Sequence, residues 1–472
     1  MADKFKEVGL AAAAVHAGTA APEREQCRRD LINGKLNFLF TVDLYNEGVD
    51  IPEINLVLFL RPTESLTIFL QQLGRGLRHA PEKDCLTVLD FVGQAHRKYR
   101  ADRKFAALLR NSRRRIDEEI QRDFPNLPPG CNIHLERVAR EHILENIRHS
   151  HGNLNTFIPE AIRTFESETK QPLTFSNFVK ETQLSPLTIL KSKSWSEWKD
   201  LADGTEKVQD PDISDTRKTL RRICLRTDPE FLNTIERVCS QSVAEDPAQY
   251  GISENEANAL HYVLWSKKGE EMGVANHQES FGRWLRNSSS TADLAEIAQW
   301  RRSAHPFPTR AIDIGYPCHL RLHAAYGYRE IMAAFGRATI QSTGPAGVGV
   351  YLIKEKKTYL HFVTFRKEEK DFAPTTRYKD YPISRTRLHW ESQAATTQNS
   401  PTGQNYIHFK ECGYNILFFA RVDKRQEGET SPFLFLGAAE NLESYESKRP
   451  IKMIWDLVHP MPAELFEEAR TV

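Results

Sequence analysis

Residues Thr41 to Arg78, TVDLYNEGVDIPEINLVLFLRPTESLTIFLQQLGRGLR, constrain the fold more than any other stretch of the chain. The stretch opens on the end of an apolar run, Phe38 to Val42. It turns through Asn46, Glu47 and Gly48, passes Asp50 and Pro52, and enters a second apolar run from Asn55 to Leu60. Short continuous apolar runs bounded by turn residues predict strands buried on both faces, as in a parallel sheet covered by helices. Pro62 starts a turn, and a helix then carries Gln71, Gly74, Arg75 and Arg78. Gln71, Arg75 and Arg78 are four and three residues apart, so they point one way from that helix. Guanidinium groups keep their charge and fork onto phosphate oxygens, which suits the charge that builds up in phosphoryl transfer.

The stretch resembles the second RecA-like domain of superfamily 2 helicases. Thr41 to Pro52 matches that family's motif V, T-x-x-x-x-x-E-G-x-D-x-P, and Gln71 to Arg78 matches motif VI, Q-x-x-G-R-x-x-R. Two motifs in order with a strand between them are far more specific than either alone. The bland alternative is an ordinary α/β helix with a salt-bridged basic face. The resemblance implies Arg75 and Arg78 as arginine fingers with Gln71 beside them. It also implies Gly48, Asp50 and Gly74 beside ATP, and His16 and Thr41 against a nucleic-acid backbone. A strand at 12–15, a helix at 22–31 and a further strand at 85–91 complete a small parallel α/β unit. No G-x-x-x-x-G-K-[ST] and no D-E-x-[HD] box occurs. In superfamily 2 those motifs lie on the first RecA-like domain, which holds the ATP phosphates and Mg2+. The chain is therefore expected to begin inside the second domain, to carry half an ATP site, and not to hydrolyse ATP alone. The first RecA-like domain is an expected partner, in cis or in trans.

The net charge is +1, so any nucleic-acid surface must be local. Nine Lys and Arg crowd between Arg97 and Arg115. They form either a phosphate-tracking face or a solvated helix partnered by Asp117, Glu118 and Glu119; the sequence leaves both open. Seven scattered cysteines with no CxxC pair suggest neither a structural zinc nor a disulfide framework. No apolar run is long enough to span a bilayer, and no membrane partner is expected. A reducing cytoplasm is the simplest compartment.

The chain is expected to be multidomain, α/β then α then β. A RecA-like parallel α/β domain with its basic extension covers 1–122, and the proline-rich DFPNLPPGC from Asp123 to Cys131 marks its end. A helical connector covers 123–325. Within it, 173–200 resembles a helix-turn-helix layout, although the loose spacing fits a plain packing unit better. Asp203 to Asp215 reads as a linker, and Arg217, Lys218, Arg221, Arg222 and Arg226 as a second basic helix. From 326 the period changes from 3.6 to 2. After a helix at 328–335, short alternating runs at 349–352, 358–365, 406–409, 415–422, 433–437 and 452–457 predict a β-barrel or sandwich.

One segment of this β-rich part gathers aromatic and hydrogen-bonding groups: Tyr378, Asp380 and Tyr381, then His389, Trp390, Glu391 and Gln393. Stacking faces beside carboxylates and amides are what a pocket for a planar base requires. On residue types alone a barrel corner is favoured, with Trp and Tyr in the core and the acids paired to Arg377 and Arg385. The region from Tyr328 onward resembles the C-terminal domain behind superfamily 2 helicases in ATP-dependent type IV restriction enzymes, which cut DNA carrying modified cytosine. The matching residues are YGYREIMAAFG, Thr364 with Lys367, TTRYKDY and LHWESQ. In that family the domain is taken to be the modified-base reader, similar to the base-flipping SRA fold. The resemblance implies an SRA-like barrel or sandwich that binds double-stranded DNA with modified cytosine. Its pocket would be lined by Tyr378, Asp380, Trp390, Glu391 and Gln393.

The family's nuclease motif, H-x-K-x-x-x-x-D, has no counterpart. In His408-Phe409-Lys410 the acid's place is taken by Asn415. A nuclease is therefore expected as a further partner. The combined expectation is the C-terminal part of an ATP-dependent DNA helicase or translocase of a modification-dependent, phage-defence restriction system. The alternatives are a non-catalytic DNA-binding remnant, or a repair-type helicase whose β domain binds protein.

Overall fold

In the computed structural model of the chain, the described residues are 1–16, 18–41, 51–60, 66–78, 80–81, 83–91, 154–182, 184–244, 246–304, 308–347, 349–367, 380–446 and 449–470, with a few positions between 120 and 143. They fall into two compact units, residues 1–157 with 181–183, and residues 158–180 with 184–472. The boundary expected at 325/326 lies inside the second unit.

In the first unit, α1 (Ala2–Glu7) leads into β1 (Ala12–Val15), α2 (Ala21–Ile32) and β2 (Phe38–Thr41). β1 and β2 pair in parallel, Ala12 opposite Phe38 and Val15 opposite Thr41. Parallel neighbours need a crossover, and α2 supplies it. Phe5 of α1 lies edge-on to Phe38 and Phe40, at 4.9 and 5.0 Å. These are alternate residues of β2, so one ring covers one face of the strand. A second parallel pair joins β3 (Leu56–Phe59) to β4 (Thr87–Asp90) through α3 (Leu66–Gly76). Phe69 of α3 packs on Phe59 at 5.3 Å, with Val57, Leu70, Leu73 and Val88 around them. The basic stretch 97–115 lies outside the described residues.

The second unit begins as a helical layer: α4 (Leu154–Thr169) from Ile158 on, α5 (Phe175–Thr182) as far as Lys180, α6 (Pro186–Ile189), α7 (Trp195–Asp203), α8 (Ile213–Cys224), α9 (Pro229–Ser240), α10 (Glu254–Leu264), α11 (Gly269–Met272), α12 (His277–Leu285) and α13 (Ser288–Ser303). Phe175, Phe178, Trp195 and Trp198 are fully buried together. Ser194 and Glu197 close a capping box that starts α7. The helix-turn-helix reading of 173–200 meets a specific obstacle. α6 is a single turn, and the Ser185 and Thr188 hydroxyls donate to the Glu427 carboxylate at 2.8 and 3.2 Å. The turn that would enter a groove is engaged within the unit.

Two further expectations need correction. The stretch read as a linker is tied down: Asp200 accepts the Lys207 and Val208 N–H groups at 2.6 and 2.7 Å, and Arg283 pairs with Asp212 at 2.6 Å. The second basic helix is an internal joint. Arg217 pairs with Glu197, Arg221 with Glu429, and Arg226 with Glu330, while Arg222 donates to the Val263 and Leu264 carbonyls. Its charge is consumed inside the protein.

The β part begins with β5 (Ala325–Tyr326) and α14 (Tyr328–Ala334). Then come β6 (Val350–Ile353), β7 (Thr358–Thr364), β8 (Tyr381–Ser384), β9 (Arg387–Glu391), α15 (Pro401–Ile407) and β10 (Asn415–Arg421). A short hairpin, β11 (Arg425–Gln426) and β12 (Glu429–Thr430), precedes β13 (Phe433–Glu446), β14 (Lys452–Leu457) and α16 (Ala463–Arg470). One eight-stranded sheet runs β6-β7-β10-β13-β14-β9-β8, with β5 also on β13. β7 and β10 are parallel and the other pairs antiparallel. β13 is the spine: its first half pairs with β10 and its second with β14. A bulge opposite Phe418 and Phe419 interrupts the half paired with β10, where Gly437 takes a φ of +86° that a side chain would resist. His361 on β7 stacks on Trp390 of β9 with ring centroids 4.4 Å apart. These strands are far from adjacent in the sheet's order, so the sheet rolls over a single core. β6 and β8 do not pair among the described residues, so the sheet is not a closed barrel there. The strand expected at 406–409 is the end of α15, which Ser400 caps by accepting the Gly403 N–H.

Candidate functional sites

The first unit brings two of the expected nucleic-acid residues together. Because Val15 lies opposite Thr41, His16 and Thr41 both stand at the C-terminal edge of the β1–β2 pair. That edge is where open α/β sheets bind ligands. His16 is fixed in a turn: its N–H donates to Thr19 Oγ1 at 3.0 Å, and its Nδ1 accepts the Gly18 N–H at 3.1 Å. The remaining proton therefore sits on Nε2, and the residue is exposed.

α3 carries Gln71 and Gly74, and Gln71 is exposed, as is Arg78 just past the helix end. A side chain at Gly74 would meet nothing within 4 Å, whereas one at Gly76 would run into Leu86 at 2.7 Å. The helix therefore packs tightly at its end and opens at Gly74. Sequence reasoning missed Lys83. Its ammonium donates to the carbonyls of Pro52 and Arg78, each at 2.9 Å, and to that of Gly76. All three N–H donors are used, and positive charge meets the carbonyl end of α3. Lys83 thus ties the end of motif V to the helix of motif VI. Gly48, Asp50 and the Arg75 side chain lie outside the described residues.

In the β part, Tyr378 lies outside the described residues, and the other candidates form two groups. Asp380 is buried and accepts from Lys367 Nζ at 2.6 Å and from the Glu391 N–H at 3.0 Å. Burial raises its pKa, and Lys367 opposes this. Its oxygens are engaged internally, which corrects the picture of a carboxylate free to receive a base's amine. Trp390 is likewise buried, with one face taken by His361 and an edge contact to Tyr406. The Gln393 side-chain oxygen accepts from Tyr406 at 3.3 Å and from Thr396 at 3.2 Å. Trp390 and Gln393 therefore meet around Tyr406, and Asp380 meets Glu391 at the end of the β8–β9 hairpin.

His361 was not anticipated. It has no accessible surface, both ring nitrogens lack a hydrogen-bond partner, and burial pushes its pKa down to about 3. Its signal was the alternation of Thr358–Thr364, which puts 361 on the same face as Tyr359 and Val363. Among the described residues no group of three or more His, Cys, Asp and Glu is arranged to hold a metal. Among them, too, no helix is long and apolar enough to cross a membrane.

Residues 1–80 match the helicase conserved C-terminal domain, and residues 320–469 match a domain of unknown function (DUF3427). The first unit thus holds a helicase C-terminal region of the superfamily 2 kind. Curated relatives include a "51.5 kDa protein" of a Lactococcus phage, 38% identical over 95 residues, which are 20% of this chain and 21% of the relative. The "Putative ATP-dependent helicase IRC3" of Saccharomyces cerevisiae is 35% identical over 89 residues, 19% of this chain and 13% of the relative. The UvrABC system protein B of Bacillus caldotenax is 28% identical over 206 residues, 39% of this chain and 28% of the relative. The matched stretches thus span less than a third of each relative. The solved structure of the ATP-dependent Type ISP restriction-modification enzyme LlaBIII bound to DNA aligns with 66% of this chain and 23% of its own, at 14% identity and a TM-score of 0.22.

Proposed function

We propose that the chain supplies one wall of an ATP-driven motor on double-stranded DNA, joined to a DNA-reading module of a modification-dependent restriction system. Arg75 and Arg78 act as arginine fingers, with Gln71 beside them on α3. Gly48 and Asp50 adjoin the ribose, and Gly74 leaves room for the nucleotide. His16 and Thr41 touch the DNA backbone. The phosphate-binding loop and the Mg2+ ligands belong to a first RecA-like domain, in cis or in trans, and cutting to a separate nuclease. When bound, ATP supplies a phosphoryl group whose developing charge the two guanidiniums neutralise.

The observation that carries this reading is the α3 face. Gln71 and Arg78 are exposed and Gly74 is open, within a stretch matching the helicase C-terminal domain. Support for base reading is the aromatic cluster of Trp390, His361 and Tyr406 with Gln393 at its margin. For that role the Trp390–His361 stack opens to admit a flipped base and the Asp380–Lys367 pair parts to receive it, with Tyr378 and Glu391 as further pocket residues.

The test adds a separate polypeptide carrying a Walker-motif RecA-like domain of the same superfamily and measures ATP hydrolysis with methylated, hydroxymethylated and plain duplexes. Hydrolysis stimulated most by a modified duplex, and lost in Arg75→Ala, is the expected result. No hydrolysis with any duplex would leave a non-catalytic DNA-binding remnant. Hydrolysis equal on all three removes modification sensing and leaves the motor.

A further inference from the structure

The turn at His459–Pro460–Met461 is gripped by cationic or protonatable side chains from three separate places in the second unit. Arg310 Nη2 donates to His459 Nδ1 at 2.9 Å, and Arg385 Nε donates to the Met461 carbonyl at 2.7 Å. The His323 ring bonds the Pro460 carbonyl, while its Nε2 is buried and lacks a partner. Since His459 Nδ1 accepts from arginine, its proton sits on Nε2 and can be donated outward. Arg310 and Arg385 are exposed, with guanidinium N–H groups to spare.

Elsewhere in this unit some arginines meet carboxylates, as Arg226, Arg283 and Arg387 do, and others bind carbonyls, as Arg222 and Arg301 do. Among the described residues neither Arg310 nor Arg385 has such a pair. Burial pushes the His323 pKa down to about 4, and His459, Arg310 and Arg385 push the same way, against the bond to the Pro460 carbonyl, which raises it. His323 also holds a left-handed φ of +64°, uncommon for a residue with a side chain, and its N–H is spent on the Phe435 carbonyl at 2.8 Å. Gly437 lets this happen: a Cβ there would meet His459 Cδ2 at 3.2 Å and Leu322 Cδ1 at 3.1 Å. Among the described residues, two arginines and two imidazoles therefore converge on one turn without a paired acid. Such an arrangement is relieved by an anion.

We propose that Arg310, Arg385 and His459, on the turn that His323 helps to hold, form a binding site for a phosphate oxyanion, filled by the phosphodiester backbone of nucleic acid. Two forked arginines and an imidazole N–H suit tetrahedral phosphate, whose oxygens accept from several directions. The site lies apart from the candidate base cluster. Arg385 sits at the turn of the β8–β9 hairpin, and Asp380 and Glu391 sit at its other end. Its contacts fix position on DNA and carry no sequence information.

The test uses the full chain and an unmodified fluorescent duplex, with binding read by anisotropy at several salt concentrations. Arg310→Gln with Arg385→Gln is expected to weaken binding roughly tenfold or more and to lower the slope of log K against log salt by about 2. Arg310→Gln alone, which breaks no backbone contact, is expected to lower the slope by about 1. Arg302→Gln, whose arginine pairs with Glu236, is the control and leaves both unchanged. A second arm tracks thermal unfolding in inorganic phosphate against chloride of equal ionic strength. Phosphate stabilisation lost in the variants together with DNA affinity supports the proposal. Stabilisation lost while DNA affinity stays confirms the phosphate site but assigns it to a small phosphorylated ligand, overturning the nucleic-acid part. Variants that change neither overturn it. Because the duplex is unmodified and no ATP is used, failure here leaves the motor and base-reading proposal untouched.

Discussion

In the first unit Leu56, Leu77, Leu89 and Phe91 are each more than a third exposed, although three of them lie in or beside parallel strands. In the second, Phe418, Phe419 and Trp455 on the rolled sheet and Trp195 and Trp198 in the helical layer have no accessible surface. Parallel strands are ordinarily covered on both faces, and among the described residues those of the first unit carry these exposed side chains. Among the described residues, the motifs read as those of a motor therefore sit beside few buried side chains. The residues that declare nothing sit on the part that holds itself together. The end of α3 is held by local ties such as Lys83, whereas the second unit is held by packing and buried pairs. All seven tryptophans lie in the second unit, so their fluorescence reports that unit alone.

The largest expected effect that sharpens this contrast is at the joint between helical layer and sheet. The Arg226 and Glu330 side chains are each 5% exposed and form a two-pronged pair, and Arg301 donates to the Arg226 carbonyl at 2.7 Å. Arg226→Gln leaves a buried carboxylate without its cation, at a cost of about 3–5 kcal/mol. Urea unfolding monitored by tryptophan fluorescence should show that loss. Arg226→Met with Glu330→Leu should recover most of it, because the desolvation cost disappears with both charges. A midpoint unmoved by Arg226→Gln would mean that the two layers do not depend on this pair.

A smaller effect tests the same core from within. His361 is held neutral, its pKa down to about 3 from an ordinary 6.5, because burial disfavours the charged ring. The unfolded chain binds that proton below pH 6.5 and the folded one does not until about pH 3. Stability from this residue is therefore complete above pH 6.5 and drains as pH falls toward 3. His261, down to about 4 by burial, adds in the same direction. His361→Phe is expected to be more acid-tolerant than the parent, by roughly 2 kcal/mol at pH 5 relative to pH 7.5. Identical pH dependence of the tryptophan transition in the two proteins would show that His361 is solvated.

Legibility from sequence divides along the same line. The strands at 12–15, 38–41, 56–59 and 87–90 and the helix bearing Gln71 were legible because each apolar run is short, continuous and bounded by turn residues. Strands β6, β7, β10, β13 and β14 were legible by alternation, and β14 matches the expected 452–457. β8 and β9 were not, because Tyr381–Ser384 includes Pro382 and Arg387–Glu391 is crowded with polar residues. α15 was misread because Tyr406–Phe409 is locally apolar, while its cap, Ser400, lies six residues upstream in a polar loop. The basic run from Arg217 to Arg226 misled for a different reason. Charge is visible in a sequence, and the distant carboxylates that consume it, Glu330 and Glu429, are not. Trp390 and Asp380 were found as residues, but their burial depends on the sheet's roll, which no local pattern encodes.

The smallest effect falls on the first unit and bears most directly on the comparison. Lys83 is seven residues beyond Gly76 and thirty-one beyond Pro52, yet it binds both carbonyls. Lys83→Met keeps the length of the stem and removes three charge-assisted bonds at the carbonyl end of α3. The acceptors are partly exposed and gain water instead, so the expected loss is about 1 kcal/mol rather than three full bonds. Hydrogen exchange of the amides at 66–78 should quicken by roughly fivefold, since RT sets that ratio for such a loss. The tryptophan transition should not move, because the tryptophans lie in the other unit. A shift of both would show that the first unit and the second unfold together, and the contrast would then describe burial without describing stability. Faster exchange at α3 alone would locate the stability of the motif VI helix in one lysine, and would make Lys83→Met the variant in which Gln71 and Arg78 are present but poorly held.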